Sequence, residues 1–277
     1  AAFDLKGEKL WQTSVGSSSS RKRWGSSSSS IIHGDLVFIN ALQEGHKIYA
    51  LNKSDGKIAW QWGPSAADSY QDTYGTPALV KAKDKTELVL AVPGEIWSFD
   101  TKKGDIAWYT YTNVGAGRGN VSPSTITGGD ALYVFGGRPG SGVAVKLGGK
   151  GEVKESSQLW TSRISPYVAT PVYHEGHLYW MDRSGYAVCL NAKTGKETYR
   201  ERLQSSGRTP QFYASPVVVD GKIISVSRNA GAFVLEAKPK FKQLAQNTFA
   251  SDRSVFNASP AISNNRLFLR SDTHLYC

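Results

Sequence analysis

Residues 49–60 read Tyr49-Ala50-Leu51-Asn52-Lys53-Ser54-Asp55-Gly56-Lys57-Ile58-Ala59-Trp60, and the pattern recurs at residues 97–108 and 188–199. In each copy an Asp or Asn begins a tight turn, and a Gly four residues later supplies the positive φ that the turn needs. An aromatic residue then ends the next apolar run. A turn of this kind between two apolar runs predicts a β-hairpin.

A second repeat precedes these hairpins. It consists of the dipeptides Thr76-Pro77, Ser122-Pro123, Thr170-Pro171, Ser215-Pro216 and Ser259-Pro260, whose prolines lie 46, 48, 45 and 44 residues apart. An apolar run, a turn and a second apolar run follow each proline, most clearly at residues 217–224. Two hairpins in series give four strands per repeat, which is typical of a β-propeller blade, and no helical period competes with this pattern. A β-sandwich is the alternative architecture.

The repeats divide the chain into one all-β propeller domain, residues 1–277, with five complete and two partial blades. We expect partial blades at 1–16 and 250–277 and complete blades at about 17–66, 67–113, 114–163, 164–204 and 205–249. The two partial blades both contain the third strand of the repeat. We therefore expect that they are different blades and that an N-terminal portion is missing.

Composition narrows the class of protein. Hydrophobic residues make up 40% of the 277 residues and aromatic residues 11%, which excludes general disorder. No apolar run approaches the roughly 20 residues that cross a bilayer. The net charge of +10 favours anionic partners, but the densest basic runs, 21–23 and 238–242, are short. A polyanion-binding surface is therefore an alternative, and nucleic acid is not the predicted partner.

Two stretches depart from the repeat. Residues 17–30 contain nine serines around a basic tripeptide and predict a surface loop. Residues 136–160 carry a glycine-rich insertion, including Gly148-Gly149-Lys150-Gly151, and predict a long loop in the second hairpin of that blade.

The repeat unit, Ser-Pro-apolar, hairpin and Leu-Asp/Asn-x-x-x-Gly-Lys-x-x-Trp, resembles the pyrroloquinoline quinone (PQQ)-type, or quinoprotein-like, propeller repeat over the whole chain. This family includes quinone-dependent alcohol dehydrogenases, a propeller lipoprotein that scaffolds outer-membrane protein assembly, and bacterial PQQ-binding-like proteins, which the C-terminal segment resembles most. The resemblance implies four-stranded blades, commonly eight in the intact protein, and a periplasmic or otherwise extracytoplasmic location. It implies PQQ with Ca²⁺ as cofactors only if the chain is of the dehydrogenase type.

The candidate chemical motifs favour structural roles. A quinone dehydrogenase of this family would carry two adjacent cysteines, whereas the two cysteines here, Cys189 and Cys277, are far apart in the sequence. Cys189 lies in an alternating strand and is expected to be buried, and Cys277 is given the same structural role. The pair of histidines in residues 174–177 falls in a hairpin turn, and residues 115–119 lack the strand and helix context of a dinucleotide loop. No catalytic or metal-binding residue is predicted.

A candidate binding site lies before each Ser/Thr-Pro step. In a propeller the first strand of each blade lines the central channel, so the residues that lead into it surround one mouth of the channel. Aromatic, arginine and amide side chains are typical of a binding surface, and ordinary packing between blades is the alternative. These residues, called the collar, are Arg23, Trp24, Asp72, Tyr74, Arg118, Asn120, Tyr167, Gln211, Tyr213, Phe256 and Asn257. Equal position in a radial repeat means equal depth, so six of these side chains are expected to converge on the axis at one face. They are Trp24, Tyr74, Arg118, Tyr167, Tyr213 and Phe256.

The sequence thus favours a non-catalytic extracytoplasmic binding or scaffold propeller, with a protein partner or a small ligand at one face. The first alternative is a PQQ-dependent alcohol or sugar dehydrogenase. The second is the polyanion-binding surface.

Overall fold

The computed structural model describes residues 1–17, 24–63, 70, 72–82, 85–117, 119–137 and 140–277. Regular structure in these ranges is almost entirely β-strand, with a short 3-10 turn at Glu155–Ser157. The predicted all-β propeller of four-stranded blades is confirmed. Apart from one short parallel strand described below, the described strands form consecutive antiparallel sheets in which each strand pairs with the next along the chain.

The described residues form seven sheets. Sheet 1 contains β1 Ala2–Phe3 and β2 Lys9–Trp11. Sheet 2 contains β3 Ile31–His33, β4 Leu36–Ala41, β5 Lys47–Asn52 and β6 Ile58–Trp62. Sheet 3 contains β7 Ala78–Ala82, β8 Lys85–Val92, β9 Glu95–Asp100 and β10 Ile106–Tyr111. Sheet 4 contains β11 Ile126–Gly128, β12 Ala131–Gly136, β13 Ser141–Lys146 and β15 Gln158–Ser162. Sheet 5 contains β16 Val172–His174, β17 His177–Met181, β18 Tyr186–Asn191 and β19 Glu197–Arg202. Sheet 6 contains β20 Val217–Val219, β21 Lys222–Val226, β22 Ala232–Glu236 and β23 Gln243–Asn247. Sheet 7 contains β24 Ala261–Ser263, β25 Arg266–Arg270 and β26 Leu275–Tyr276.

The hydrophobic core lies between consecutive sheets. Phe38 and Trp60 of sheet 2, for example, pack in one buried cluster with Leu88 and Phe99 of sheet 3. Similar buried clusters join sheets 3 and 4, 4 and 5, 5 and 6, and 6 and 7. Sheets 2 to 6 pack against a neighbouring sheet on both sides, so their central strands are mainly apolar instead of strictly alternating.

The repeated tryptophan and glycine form a joint between neighbouring sheets. The indole Nε1 of Trp11, Trp60 or Trp160 donates to a carbonyl in the turn of the next sheet, that of Lys53, Thr101 or Ala192, at 2.9, 3.0 and 2.8 Å. The glycines of these turns, Gly56, Gly104 and Gly195, have φ of +70°, +77° and +68°. A Cβ on any of them would lie 2.4–2.6 Å from the indole ring. The glycine of the repeat is therefore needed both for the turn and for the neighbouring tryptophan.

Two joints differ. Sheet 4 lacks the standard turn because the insertion follows β13, and Trp108 Nε1 instead donates to Glu87 Oε2 at 2.8 Å. The insertion forms a short strand, β14 Gly151–Glu152, that pairs in parallel with β10 at the outer edge of sheet 3. The predicted long connection is confirmed, and its pairing with the preceding sheet is new. At the sheet 5–6 joint, Tyr199 replaces the tryptophan and packs edge-on against Phe241 at 5.6 Å.

A series of hydrogen bonds between adjacent sheets shows which residues are equivalent in the second repeat. In sheets 2 to 7 the first strand begins two residues after a Ser or Thr, and in sheets 3 to 7 the hydroxyl of this residue accepts the amide N–H of the equivalent residue in the preceding sheet at 2.9–3.1 Å. These residues are Ser29, Thr76, Ser124, Thr170, Ser215 and Ser259. In sheet 4 the repeat position is therefore Ser124, and the prediction of Ser122-Pro123 was two residues too early, because a proline precedes the repeat position there instead of following it.

The other loop and cysteine predictions have mixed outcomes. Residues 174–177 form the β16–β17 hairpin, and the described part of 115–119 lies between β10 and β11, as predicted. Cys189 is a buried free cysteine in β18, also as predicted. Cys277 is exposed just after β26, which differs from the structural role it was given. Of the serine-rich stretch, residues 18–23 lie outside the described residues.

Candidate functional site

The collar separates into two groups in the structure. Two of its members, Arg23 and Arg118, lie outside the described residues. The phase of the others is not uniform. Counted back from the hydroxyl of each repeat, Tyr74 and Tyr213 stand two residues before it, and Tyr167 stands three residues before it. These aromatic residues therefore stand at different positions of the repeat, and their equal depth around the axis stays a prediction.

The first group surrounds Tyr74. Its ring lies 5.2 Å from that of Trp24, and its hydroxyl donates to Asp72 Oδ1 at 3.1 Å. Asp72 is 1% exposed and Asn120 is 3% exposed, whereas Trp24 is 57% exposed. Asp72 also joins sheets 3 and 4, since its carbonyl accepts the amide of Val121 at 3.0 Å. This group is mainly structural, and Trp24 is its accessible part.

The second group forms an arginine–tyrosine ladder across sheets 5, 6 and 7. Arg183 lies over the ring of Tyr167 at 5.1 Å, and the rings of Tyr167 and Tyr213 are 5.9 Å apart. Arg228 lies over the ring of Tyr213 at 4.3 Å and donates through Nε to Asn257 Oδ1 at 2.8 Å. Each cation over a ring contributes roughly 0.5–1 kcal/mol at an exposed site. The ladder consists of Arg183, Tyr167, Tyr213, Arg228 and Asn257.

The backbone around the ladder holds it in place. Gln211 is exposed, and its carbonyl accepts the amide of Arg228 at 2.8 Å, which ties the loop before β20 to the β21–β22 turn. Tyr167 has φ of +75°, a left-handed conformation that is uncommon for a bulky residue. Such a conformation costs free energy and persists where the surrounding structure imposes it, often at functional sites.

Phe256 does not belong to the exposed surface. It is 3% exposed and packs with Phe249 and Tyr276 in the hydrophobic cluster between sheets 6 and 7. The structure therefore places this collar residue between blades, in the structural alternative that the sequence left open.

A cleft of about 630 Å³ adjoins the ladder between sheets 6 and 7. Arg208, Arg228 and Arg253 line it together with Asn229 and Asp252. Three guanidinium groups thus face one carboxylate. The cleft and the ladder share one side of the molecule, here called the collar face, which comprises residues 163–171, 182–185, 204–216, 227–231 and 248–260.

Asp252 is already engaged by the protein. Its side chain is 2% exposed and accepts hydrogen bonds from the hydroxyls of Ser271, Ser254 and Tyr276 at 2.6, 2.7 and 2.7 Å. These hydrogen bonds, with that of Ser271 the largest cause, hold the pKa of Asp252 well below its usual range. Asp252 therefore anchors the loop before sheet 7, and the arginines of the cleft keep their charge for another partner.

The sequence reasoning missed four arginines on the collar face. They are Arg183, Arg208, Arg228 and Arg253. Arg183 and Arg228 stand in the turns between the second and third strands, which emerge on the same side of a blade as the loops before the first strand. This alternation of strand direction was a usable signal, because both turns read Arg followed by Ser or Asn and a nearby Gly.

The residues present do not match the quinone and calcium set that the dehydrogenase alternative implies. Cys189 and Cys277 are not adjacent, and burial raises the pKa of the Cys189 thiol to about 11. Within the described ranges no group of three or more His, Cys, Asp or Glu residues could hold a metal ion. The collar face instead offers arginine, tyrosine and amide groups, whose chemistry is that of binding.

Comparison with known sequences identifies the kind of protein that this chain is similar to. A family model described as outer membrane protein assembly factor BamB matches residues 1–155 and 149–240. Outer membrane protein assembly factor BamB of Salmonella typhimurium is 24% identical over 197 residues, covering 68% of this chain and 45% of that protein. Tetrathionate hydrolase of Acidithiobacillus ferrooxidans is 26% identical over 240 residues, covering 78% of this chain and 43% of that protein. The chain thus spans less than half the length of these relatives.

Solved structures share the fold. BamB from Moraxella catarrhalis superposes with a TM-score of 0.70 at 16% identity, covering 96% of this chain and 73% of that one. Quinohemoprotein alcohol dehydrogenase from Comamonas testosteroni superposes with a TM-score of 0.60 at 11% identity, covering 81% and 43%. These likenesses confirm the PQQ-type propeller repeat. Among the described residues, no helix has the length and apolar character needed to cross a membrane.

Proposed function

Since the chain belongs to the family of the outer membrane protein assembly factor BamB, we propose that it is a non-catalytic, extracytoplasmic scaffold that binds a protein partner through the collar face. Its role would lie in outer membrane protein assembly, as the name of the family describes. The proposal treats the chain as one propeller domain, with the blade boundaries predicted above and eight blades in the intact protein.

The arginine–tyrosine ladder is the observation that carries this proposal. Arg183 and Arg228 each lie over a tyrosine ring, so less side-chain entropy is lost when a partner binds them. Tyrosine and arginine are enriched among the residues that dominate protein–protein binding energy. The ladder spans three sheets, which favours an extended contact with a protein over a small enclosed ligand.

The charge of the collar face supports an acidic partner segment. Arg208, Arg228 and Arg253 line the adjoining cleft, and the single carboxylate among them, Asp252, is engaged by three hydroxyls. A guanidinium can pair with a carboxylate through two parallel N–H···O bonds. We therefore expect Asp or Glu side chains of the partner to lie in this cleft.

The proposal is tested by site-specific photo-crosslinking in the source bacterium. A photoreactive amino acid replaces exposed Gln211 on the collar face, and the matched control replaces exposed Lys193 in the turn at the opposite ends of the strands. We expect one protein of the outer membrane assembly machinery to crosslink from position 211 and not from position 193. The substitutions Arg183→Ala and Arg228→Ala together should reduce the crosslink by at least about tenfold.

Equal crosslinking from both positions, or none from position 211, would overturn the proposed binding face. Catalysis is tested in parallel, because one of the relatives is a hydrolase. The purified chain is assayed for tetrathionate hydrolysis and, after addition of PQQ and Ca²⁺, for dye-linked alcohol oxidation. Turnover in either assay would overturn the non-catalytic part of the proposal.

A further inference from the structure

A second cleft, on the side opposite the collar face, lies between sheets 3 and 4. It has a volume of about 980 Å³. Four lysines line it, Lys81 and Lys85 from the β7–β8 hairpin and Lys146 and Lys150 from the end of β13 and the glycine-rich insertion. These four residues define the lysine cleft.

The lysine cleft lies at the joint where sheet 4 lacks the standard turn. At three other joints the Asp/Asn-x-x-x-Gly turn covers the indole of the preceding sheet. Here the insertion runs away from sheet 4 to add β14 to sheet 3, and Gly149 lies against Trp108, where a Cβ would be 3.1 Å from the ring. Trp108 is buried beneath the insertion, and the cleft beside it is bordered by residues of both sheets.

Among the described residues, the ammonium groups of this cleft form no salt bridge within 4.0 Å, and Lys85 acts electrostatically at longer range on the lining carboxylate of Asp100. None of the four lysines forms a salt bridge with a described residue, although exposed lysines elsewhere do, such as Lys57 with Asp55 and Lys242 with Glu236. Like charges that line one concave surface reinforce each other's potential and raise the local concentration of anions.

Three carboxylates also line the cleft, and two of them are engaged by the protein. Glu87 is 7% exposed and accepts hydrogen bonds from Ser98 and Trp108 at 2.7 and 2.8 Å. Asp100 accepts the amides of Lys102 and Lys103 at 2.9 and 3.0 Å within its turn. The third, Asp130, is exposed. By formal count the lining carries four positive and three negative charges, and two of the negative groups, Glu87 and Asp100, accept hydrogen bonds from the protein.

We propose that the lysine cleft binds a ligand that carries two or more phosphate groups. Lysine ammonium groups act as point charges that suit phosphate oxygens, and the lining contains no arginine fork for planar carboxylates. The volume lies at the upper end of small-molecule sites, so it accommodates more than a single phosphate. Ala82, Ala107 and Leu147 add an apolar strip for the remainder of the ligand.

Such phosphates could belong to a soluble molecule or to the headgroups of a lipid, and the test separates these sources. Binding of the full chain to inorganic tripolyphosphate is measured by calorimetry at low salt. Binding to vesicles of phosphatidylcholine, with and without phosphatidylglycerol, is measured by co-sedimentation. The test variant is Lys81→Gln with Lys146→Gln. The control is Lys193→Gln with Lys196→Gln, which removes the same charge from a turn on the same side of the molecule.

We expect saturable binding that the test variant weakens by about tenfold and the control leaves within about twofold. Tripolyphosphate binding with this pattern supports a soluble ligand, and binding to the anionic vesicles alone with the same pattern supports a lipid headgroup. Absence of binding in both arms, or equal weakening by test and control variants, would overturn the proposal. Unchanged thermal unfolding of both variants shows that the effect is local.

Discussion

Replacing Gly104 by alanine should weaken the joint between sheets 2 and 3 far more than the same change at Gly176. The two glycines have nearly equal φ, +77° and +76°. A Cβ at position 104 would lie 2.6 Å from the indole of Trp60, whereas a Cβ at position 176 would meet nothing within 4 Å. The pair therefore separates the cost of the backbone conformation from the cost of the contact.

The magnitudes follow from these two costs. A side chain in the left-handed conformation costs roughly 1–2 kcal/mol, which applies to both variants. Forcing extra volume against a packed ring adds roughly 1–3 kcal/mol at position 104 alone. Gly104→Ala should thus lose roughly 2–5 kcal/mol, and its Tm should fall by roughly 5–15 °C. Gly176→Ala should lose only the roughly 1–2 kcal/mol of stability that the left-handed backbone conformation costs.

The assay is thermal unfolding followed by circular dichroism, with the substitution Trp60→Leu as a second background. Without the indole, Gly104→Ala should cost about as much as Gly176→Ala, because the coupling between the two positions is removed. Similar losses for Gly104→Ala and Gly176→Ala in the unaltered chain would refute the role of the tryptophan contact.

Three further outcomes are expected. Thr170→Val removes a hydroxyl that accepts a neighbouring sheet's amide, so it should lower stability by about 1–2 kcal/mol, whereas Thr161→Val on an exposed outer strand should change it little, as measured by urea unfolding. Asp252 has a lowered pKa in the folded state, so the stability that its ionised carboxylate contributes is present above the unfolded pKa of about 4 and is lost on further acidification. Below pH 4 the Tm of the unaltered chain should therefore fall more steeply with pH than that of Asp252→Asn. Parallel curves of Tm against pH for the two proteins would contradict this. A thiol reagent at pH 8 should label Cys277 alone in the native chain, because Cys189 is buried with its pKa raised to about 11, and label both after denaturation; native labelling of both would contradict the structure.

The propeller fold could be read from the sequence because its cause is local. The Asn52 and Asp100 turns, the glycines that follow them and the closing tryptophans are close in sequence, so their spacing alone predicts hairpins and their recurrence predicts blades. The burial of Cys189 followed from the same strand pattern. The turn pattern did not show that the glycine also leaves room for a neighbouring indole, because Trp60 packs against Gly104 from another sheet.

The phase of the second repeat required tertiary structure. The Ser/Thr-Pro dipeptide marks it in most sheets, but in sheet 4 the hydroxyl that continues the series of hydrogen bonds belongs to Ser124 instead of Ser122. A hydrogen bond between residues of adjacent sheets decides the alignment, and no local pattern records it. The collar residues before sheet 4, Arg118 and Asn120, were therefore counted from a position two residues before the one that the hydrogen bonds define.

The sequence by itself therefore determined the strands, the turns and the class of fold, because each depends on neighbours a few residues away. Only the tertiary structure decided which side chains meet on a surface. Arg183 and Arg228 reach Tyr167 and Tyr213 because separate loops emerge on one side of the sheets. The lysine cleft likewise joins residues of sheets 3 and 4, beside an insertion of sheet 4 that pairs with sheet 3. Both sites join residues from different sheets, and such contacts depend on how the sheets pack.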